Sequence, residues 1–213
     1  MNAEWKKTVH AYERLHKKGL LEIVDGDFYY GGRPIICRDS PIDGRVCIGE
    51  ITREAIVVDS AQSEHLKKLF DDLYEQVVNT HPNSIEILRD VYTSVYKAMP
   101  IQNEREVERI TSKYGVDNDS NISLDVFVKD GVGVCRQDAL ICGFLVEQLI
   151  KKGVLSGQVS IDRNTFFPLG SHMWCRYVFP TNAIFVLDVA KKFFGSLEEG
   201  TQKFWPYNRP SDL

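Results

Sequence analysis

The chain has 213 residues, with 26 Lys and Arg against 30 Asp and Glu, and its formal net charge is −4. Hydrophobic residues make up 43% of it, which is globular composition and excludes a disordered or collagen-like chain. The mild acidity argues against a dedicated nucleic-acid binder, and no apolar run reaches the length of about 18 residues that a membrane span needs.

The cysteines and the first residues indicate the cellular compartment. The chain has an odd number of cysteines and no Cys-x-x-Cys pair, so neither a disulfide framework nor zinc spacing is present. They are Cys37, Cys47, Cys135, Cys142 and Cys175. No apolar run follows residues 1–7, so a secretory signal is not predicted. We therefore expect a cytoplasmic protein with reduced thiols and no metal or other cofactor, and export without a conventional signal stays open.

The N-terminal part predicts a helix followed by short strands. Residues 4–18 have the apolar spacing of an amphipathic helix that stops at Gly19. Glycine and proline then divide residues 20–59 into short apolar runs, the pattern of strands and turns. We expect residues 1–59 to be an N-terminal helix with a β-rich extension, and residues 60–213 to be the main domain.

The next segment predicts three helices. Residues 60–79 carry an apolar stripe, and Asp59 with Gln62 resembles a capping box. Two further helices are expected over 84–98 and about 103–113. The loop at 117–121 alternates oxygen-bearing side chains like a calcium loop. It lacks the Gly and Glu that such a loop needs, so a turn is the better interpretation.

Cys135 stands at the start of a buried helix. Residues 131–134 read Gly-Val-Gly-Val, and an almost wholly apolar run follows to Ile150, ending at Lys151-Lys152-Gly153. Free amides and the helix dipole at such a start favour a thiolate and can hold an oxyanion. The competing interpretation, a small buried apolar residue, suits most free cysteines. We assign the other four cysteines to packing.

A base and a group to orient it are predicted on one β-hairpin. His172 opens the strand 171–179, a turn follows at 180–182, and Asp188 interrupts the apolar strand 183–189. Folding the hairpin about its turn places the partner of His172 near position 188 to 190. Opposed residues of an antiparallel pair face the same side, about 5 Å apart. The alternative interpretation of Asp188, a strand-end cap, does not account for this register.

Three short blocks together resemble the transglutaminase-like superfamily, which is related to the papain-type cysteine enzymes. They are Gly133-Val134-Cys135-Arg136, His172-Met173-Trp174 and Val186-Leu187-Asp188. The resemblance covers about residues 123–190. It implies an α+β fold in which an antiparallel sheet packs against helices, and a transglutaminase-like catalytic domain over residues 60–213.

The resemblance also implies an enzyme with a Cys135, His172 and Asp188 catalytic triad. The expected activity is that of a cysteine protease, deamidase or transglutaminase, a hydrolase or acyltransferase that acts on a protein or peptide through a thioester. The backbone amide of Cys135 is one expected oxyanion donor, and Gln102 and Asn121 are candidates for a second. Trp174 is expected on the same strand face as His172, either covering the site or filling the core.

Two alternatives remain. His172-Met173 and Leu187-Asp188-Val189 are also similar to the arylamine N-acetyltransferases, although the Arg-Gly-Gly lead to the cysteine is absent. A non-catalytic binding module on the same fold is the other, and such a module is expected to lose a member of the triad. The aromatic residues between 193 and 207 are expected to cover a sheet edge or to shape a groove.

Overall fold

The structure is a computed structural model that describes residues 16–17, 19, 21–49, 55–80, 83–114, 121–166 and 170–212. The predicted helix at 4–18 and the predicted turn at 117–121 fall almost wholly outside the described residues. Of the residues described, 45% are helical and 30% are in strands, so the fold is mixed α and β as predicted.

Five strands come first in the described parts of the chain, helices separated by short strands follow, and four strands and a last helix come after them. The helices there are α1 (Glu64–Thr80), α2 (Ser84–Ala98), α3 (Glu104–Lys113), α4 (Leu124–Asp130), α5 (Cys135–Lys151) and α6 (Leu197–Lys203). The strands are β1 (Leu21–Val24), β2 (Asp27–Tyr30), β3 (Arg33–Pro34), β4 (Arg45–Ile48), β5 (Ala55–Val58), β6 (Ile101–Gln102), β7 (Asn121–Ser123), β8 (Val132–Gly133), β9 (Gln158–Phe166), β10 (Gly170–Val178), β11 (Ile184–Asp188) and β12 (Phe193–Ser196).

Local capping explains where the first two helices begin. The Asn83 side chain accepts from the amides of Ile85 and Glu86, and Glu86 accepts from the Asn83 amide, so α2 begins as predicted. The predicted start of α1 is wrong, because residues 60–62 form a separate 3₁₀ turn that Asp59 caps. The first turn of α1 is capped from α4 instead, where Asp125 accepts from the Leu66 amide at 2.7 Å.

A four-stranded antiparallel sheet in the order β12-β11-β10-β9 packs against α5. This confirms the predicted antiparallel sheet against a buried helix. α5 is apolar almost all round because the sheet covers one side while α1, α2 and α4 pack on others. Gly143 allows close contact there, since a Cβ on it would lie 2.4 Å from Cδ1 of Ile161 and 2.8 Å from Cδ1 of Ile42.

The N-terminal strands form two further small sheets. β1, β2 and β3 make an antiparallel sheet, while β5 pairs with β4 antiparallel and with β7 parallel. Ile42, Ile56 and Val58 lie in the same core as α5. The carboxylate of Glu147 on α5 also accepts from the backbone amide of Ile42 at 2.9 Å. Ile42, Ile56 and Val58 are thus packed onto the central helix, and the division of the chain at residue 59 stays a prediction.

Within the described ranges, no helix combines the length and the apolar composition that crossing a membrane requires.

Candidate functional site

Cys135 is the first residue of α5. Helix α4 ends at Gly131 in a left-handed conformation (φ 65°), and β8 then leads directly to the cysteine. The side chain of Gln137 accepts from the Val134 amide at 3.2 Å, and the Asp138 amide donates to the Val134 carbonyl at 3.2 Å. The first amides of an α-helix have no carbonyl partner within that helix, so the half-buried thiol lies where negative charge is favoured.

His172 and Asp188 meet on neighbouring strands. Nε2 of His172 lies 2.5 Å from Oδ2 of Asp188, and both side chains are buried. The observed pairing of Cys175 with Leu187 extends to Trp174 opposite Asp188. His172 and Asp188 are therefore diagonal neighbours on one face, and the position that extends opposite His172 is 190, at the end of the predicted range of 188 to 190. Diagonal side chains on one face are still within reach of each other.

The thiol of Cys135 contacts the same imidazole. The Cys135 side chain is hydrogen-bonded to the ring of His172. The ring of His172 thus contacts both the Asp188 carboxylate, through Nε2, and the Cys135 side chain. The structure thus brings together all three residues that were predicted as a catalytic triad, in the order Cys135, His172, Asp188.

The surroundings of His172 favour its protonated form. Burial alone would lower the pKa of this imidazole, but the hydrogen bonds to Asp188 and Cys135, with the charges on those two groups, raise its pKa to about 9. An imidazolium between a carboxylate and a sulfur has the arrangement of an acid–base group that exchanges a proton with a thiol.

The segment that follows α6, residues 204–212, completes the surroundings of this triad, and we call it the C-terminal tail. The hydroxyl of Tyr207 donates to Oδ2 of Asp188 at 2.7 Å. The edge of the Trp205 ring faces His172 with centroids 5.0 Å apart, and its indole N–H donates to Asn164 at 2.6 Å. The aromatic residues between 193 and 207 were predicted only to cover a sheet edge or to shape a groove, so the positions of Tyr207 and Trp205 at the triad were missed.

Trp174 lies beneath the triad and does not cover it. It is on the same strand face as His172, as predicted, and its ring stacks 6.1 Å from the imidazole. The Trp174 side chain is only 2% exposed, and its ring meets the Tyr207 ring edge-on at 5.1 Å. It therefore fills the small core under the C-terminal tail.

Ion pairs hold the C-terminal tail on the sheet. The guanidinium of Arg209 contacts both carboxylate oxygens of the buried Asp162 on β9, at 2.7 and 2.6 Å. Arg176 on β10 makes a second two-point contact with Asp212, at 2.8 and 2.6 Å. Such paired contacts are directional, so they fix the tail relative to the strands that carry His172.

One further buried carboxyl lies next to the triad. Asp138, in the first turn of α5, accepts from Nε2 of Gln102 at 3.1 Å through Oδ1, while its buried Oδ2 has no hydrogen-bond partner. Burial is the main reason that its pKa rises to about 7; the charge of Asp188 adds to the rise, and the Gln102 hydrogen bond and His172 oppose it.

The two predicted candidates for a second oxyanion donor lie in different places. Gln102 pairs with Gly133, two residues before Cys135, and its Nε2 donates to Asp138 and to the Met99 carbonyl. Asn121 pairs instead with Ala55 on β5, away from β8. Of the two, only Gln102 is held beside the start of α5.

The other cysteines differ from Cys135 in their surroundings. Cys47, Cys142 and Cys175 are buried, and burial raises the pKa of the Cys142 and Cys175 thiols. Cys37 is half-buried like Cys135, but burial raises the pKa of its thiol, with Arg163 opposing.

A cavity of about 690 Å³ lies between the start of α1 and the second half of α5. It is lined in part by Lys67, Gln148 and Lys152, and none of the triad residues lines it.

In the part of the chain that the structure describes, no group of three or more His, Cys, Asp and Glu side chains is arranged to hold a metal ion.

Comparisons of the chain with protein-family models, with curated proteins and with solved structures find no match, so its function has to be inferred from the side chains themselves.

Proposed function

We propose that the protein is a cysteine-dependent amide hydrolase or acyl transferase with a transglutaminase-like core. Cys135 is the nucleophile, His172 the acid–base group and Asp188 the group that orients the imidazole. The single observation that supports this best is the continuous chain of contacts from a half-buried thiol at a helix start, through one imidazole, to a buried carboxylate.

Acylation follows from this arrangement. The Cys135 thiolate attacks the carbonyl carbon of an amide, a C–S bond forms, and the carbonyl electrons move to oxygen. When the tetrahedral intermediate collapses, the C–N bond breaks and the imidazolium of His172 gives its proton to the departing amine. The product is a thioester on Cys135 and a free amine, and His172 is left neutral beside Asp188.

Deacylation reverses the role of the imidazole. Neutral His172 takes a proton from water or from an acceptor amine, which attacks the thioester carbonyl and releases the thiolate. Water gives hydrolysis or deamidation, and an amine gives transamidation. The backbone amide of Cys135 lies at the helix start where the developing oxyanion is stabilised, and Gln102 is the better-placed candidate for a second donor.

The edge of β6 supports a peptide substrate. Among the described strands, β6 pairs only with β8. The amides of Ile101 and Asn103 donate to the carbonyls of Gly131 and Gly133, so the backbone groups of Gln102 face the opposite side. An extended peptide that pairs with this edge, in the manner of strand addition, would be separated by β6 alone from β8, the strand that leads into Cys135.

Selective alkylation tests the nucleophile. We expect iodoacetamide at pH 6 to modify Cys135 much faster than Cys37, which is the matched control because both thiols are half-buried. Replacing His172 with Ala should bring the rate at Cys135 down toward that at Cys37. Equal labelling of the two thiols by peptide mass spectrometry would favour a non-catalytic binding module.

Turnover tests the reaction class. Glutamine-containing peptides are incubated with and without a primary amine, and ammonia release and amine incorporation are measured. Cys135→Ala and His172→Ala should abolish activity, and Asp188→Asn should reduce it by about a thousandfold or more. Trapping on Cys135→Ala, followed by mass spectrometry of the bound proteins, then identifies the substrate. An acetylated Cys135 after exposure to acetyl-CoA would instead favour the acetyltransferase alternative.

A further inference from the structure

The carboxylate of Asp188 is held by three donors from three parts of the chain. His172 and the Tyr207 hydroxyl both contact Oδ2, at 2.5 and 2.7 Å. The backbone amide of Lys191 donates to Oδ1 at 3.0 Å. Of the three donors, only Tyr207 comes from the C-terminal tail, and nothing in the three-residue triad requires it.

Tyr207 is fixed as a donor by its surroundings. The residue is fully buried, and its ring packs between Trp174 at 5.1 Å and Phe193 at 5.7 Å. Burial, together with the charge of Asp188, raises the pKa of the phenol above its ordinary value, so the hydroxyl keeps its proton. Asp188 can therefore only accept from it.

We propose that Tyr207 is a positioning residue of the site: its hydroxyl fixes the Asp188 carboxylate and takes up part of its charge, so that His172 can release its proton. This inference rests on the proposed function, because it assigns Tyr207 a part in the same proton transfer. The C-terminal tail then belongs to the catalytic site through Asp188 and has no contact with the substrate in this role.

The physical reason is the competition of two donors for one oxygen. A hydrogen bond from Tyr207 disperses the charge on Oδ2, which weakens the attraction of that oxygen for the imidazolium proton. The bond is strongest when His172 is neutral and the carboxylate charge is unshared, so Tyr207 stabilises that form. A general acid works best when its proton is neither too tightly nor too loosely held.

Several titratable groups from other elements also face this pair. They are Cys135 and Asp138 from α5, Tyr92 from α2 and Tyr207 from the C-terminal tail. Lys191, from the turn after β11, contacts Asp188 through its backbone amide, and its ammonium lies over the Trp205 ring at 5.1 Å. Of these groups, only Tyr207 is uncharged and also hydrogen-bonds to Asp188 through its side chain. Its hydroxyl can therefore be removed without changing the net charge of the site.

The test compares two buried tyrosines in the full-length protein. Tyr207→Phe removes the donor to Asp188. Tyr177→Phe is the matched control, because Tyr177 is equally buried and its hydroxyl donates to the Ser156 carbonyl at 2.7 Å. The pKa of His172 is measured by NMR titration of the imidazole. We expect Tyr207→Phe to raise it by about half a pH unit and Tyr177→Phe to leave it unchanged.

Turnover adds a second readout. For Tyr207→Phe we expect kcat to fall about tenfold with KM unchanged, as for the loss of one hydrogen bond to a charged group. The alkaline limb of the pH–rate profile should shift to higher pH by the same amount as the pKa of His172 measured by NMR. If Tyr207→Phe only lowers the melting temperature, as Tyr177→Phe does, and leaves both the titration and the profile in place, the role of Tyr207 is structural and the proposal is wrong.

A fluorinated tyrosine at position 207 keeps the proposal testable if the Phe variant does not fold. It preserves the ring shape and strengthens the donor, so the pKa of His172 should fall instead of rise. An unchanged or raised value would contradict the proposal. The titration does not depend on substrate: if peptides are not turned over, the proposed function fails while the effect of Tyr207 on His172 can still be measured.

Discussion

Asp138 is the residue in which burial and charge conflict most directly. It is 1% exposed, and one of its carboxylate oxygens has no partner. Burial raises its pKa from 3.8 to about 7. The folded protein therefore holds a proton there that the unfolded chain releases above about pH 4. Because of Asp138, the free energy of unfolding falls as the pH rises from about 4 to about 7, and this reduction is constant above that range.

We expect Asp138→Asn to remove this loss. The amide oxygen can still accept from Gln102, but the charge is gone. The free energy of unfolding should exceed that of the unaltered protein by about 2 to 4 kcal/mol at pH 8 and by clearly less at pH 5. Urea unfolding at the two pH values measures this. The exposed Asp71→Asn is the control, and an equal effect of Asp138→Asn at both pH values would show that Asp138 is ionised throughout.

Some of the residues at the site could be predicted from the sequence and some could not. Cys135 was predictable because glycines and an apolar run mark a helix start locally, and Asp188 because a carboxyl is rare inside an apolar strand. Tyr207 and Trp205 were not, since their contacts depend on how the chain returns after α6, which no local periodicity records. The same holds for Asp138, whose partner Gln102 lies 36 residues earlier.

At the scale of elements, α5 organises the molecule. It carries Cys135 at its start and packs on the sheet that carries His172 and Asp188. Its length and burial were predictable because apolar residues surround it on all sides. The register between β10 and β11 was predicted only as a range, since the geometry of the turn between the two strands decides which of positions 188 to 190 lies opposite His172.

Glu147 ties α5 to the N-terminal strands, and its removal should be costly. Its carboxylate accepts from the backbone amides of Ile42 and Asp43 at 2.9 and 3.0 Å, and from Lys151 at 3.0 Å. Glu147→Ala leaves two backbone amides without this acceptor, so the free energy of unfolding should fall by about 2 to 4 kcal/mol.

Chemical denaturation with an unchanged m-value measures that loss, and the exposed Glu75→Ala on α1 is the control. A change in Glu147→Ala no larger than in the control would mean that the contact between α5 and residues 42–43 contributes little. This would also support an independent N-terminal extension, which is the predicted division at residue 59.

At the scale of the whole molecule, the C-terminal tail joins elements that are distant in sequence. Arg209 contacts Asp162 on β9 and also Asp39, which lies in the loop before β4. The charge of Asp162 raises the pKa of the guanidinium despite its burial. Removing one partner of a buried pair leaves an uncompensated charge, which is more destabilising than the intact pair is stabilising.

Arg209→Ala should therefore lower the free energy of unfolding by about 3 kcal/mol or more. Adding Asp162→Asn to that variant should recover part of the loss, because the stranded carboxylate is then neutral. The exposed Arg105→Ala on α3 is the control in the same thermal and chemical unfolding experiments. If the double variant is no more stable than Arg209→Ala alone, an unpaired Asp162 is not the source of the loss.

The position of Tyr207 has a consequence for how the protein matures. During synthesis the helix that begins at Cys135 and the hairpin with His172 and Asp188 leave the ribosome before residues 205–209 do. A nascent chain can then already bring sulfur, imidazole and carboxylate near one another, but Asp188 still lacks its phenol donor and His172 its indole neighbour. Full assembly of the triad's surroundings waits for residues 205–209 to be made and to fold back over the strands made earlier.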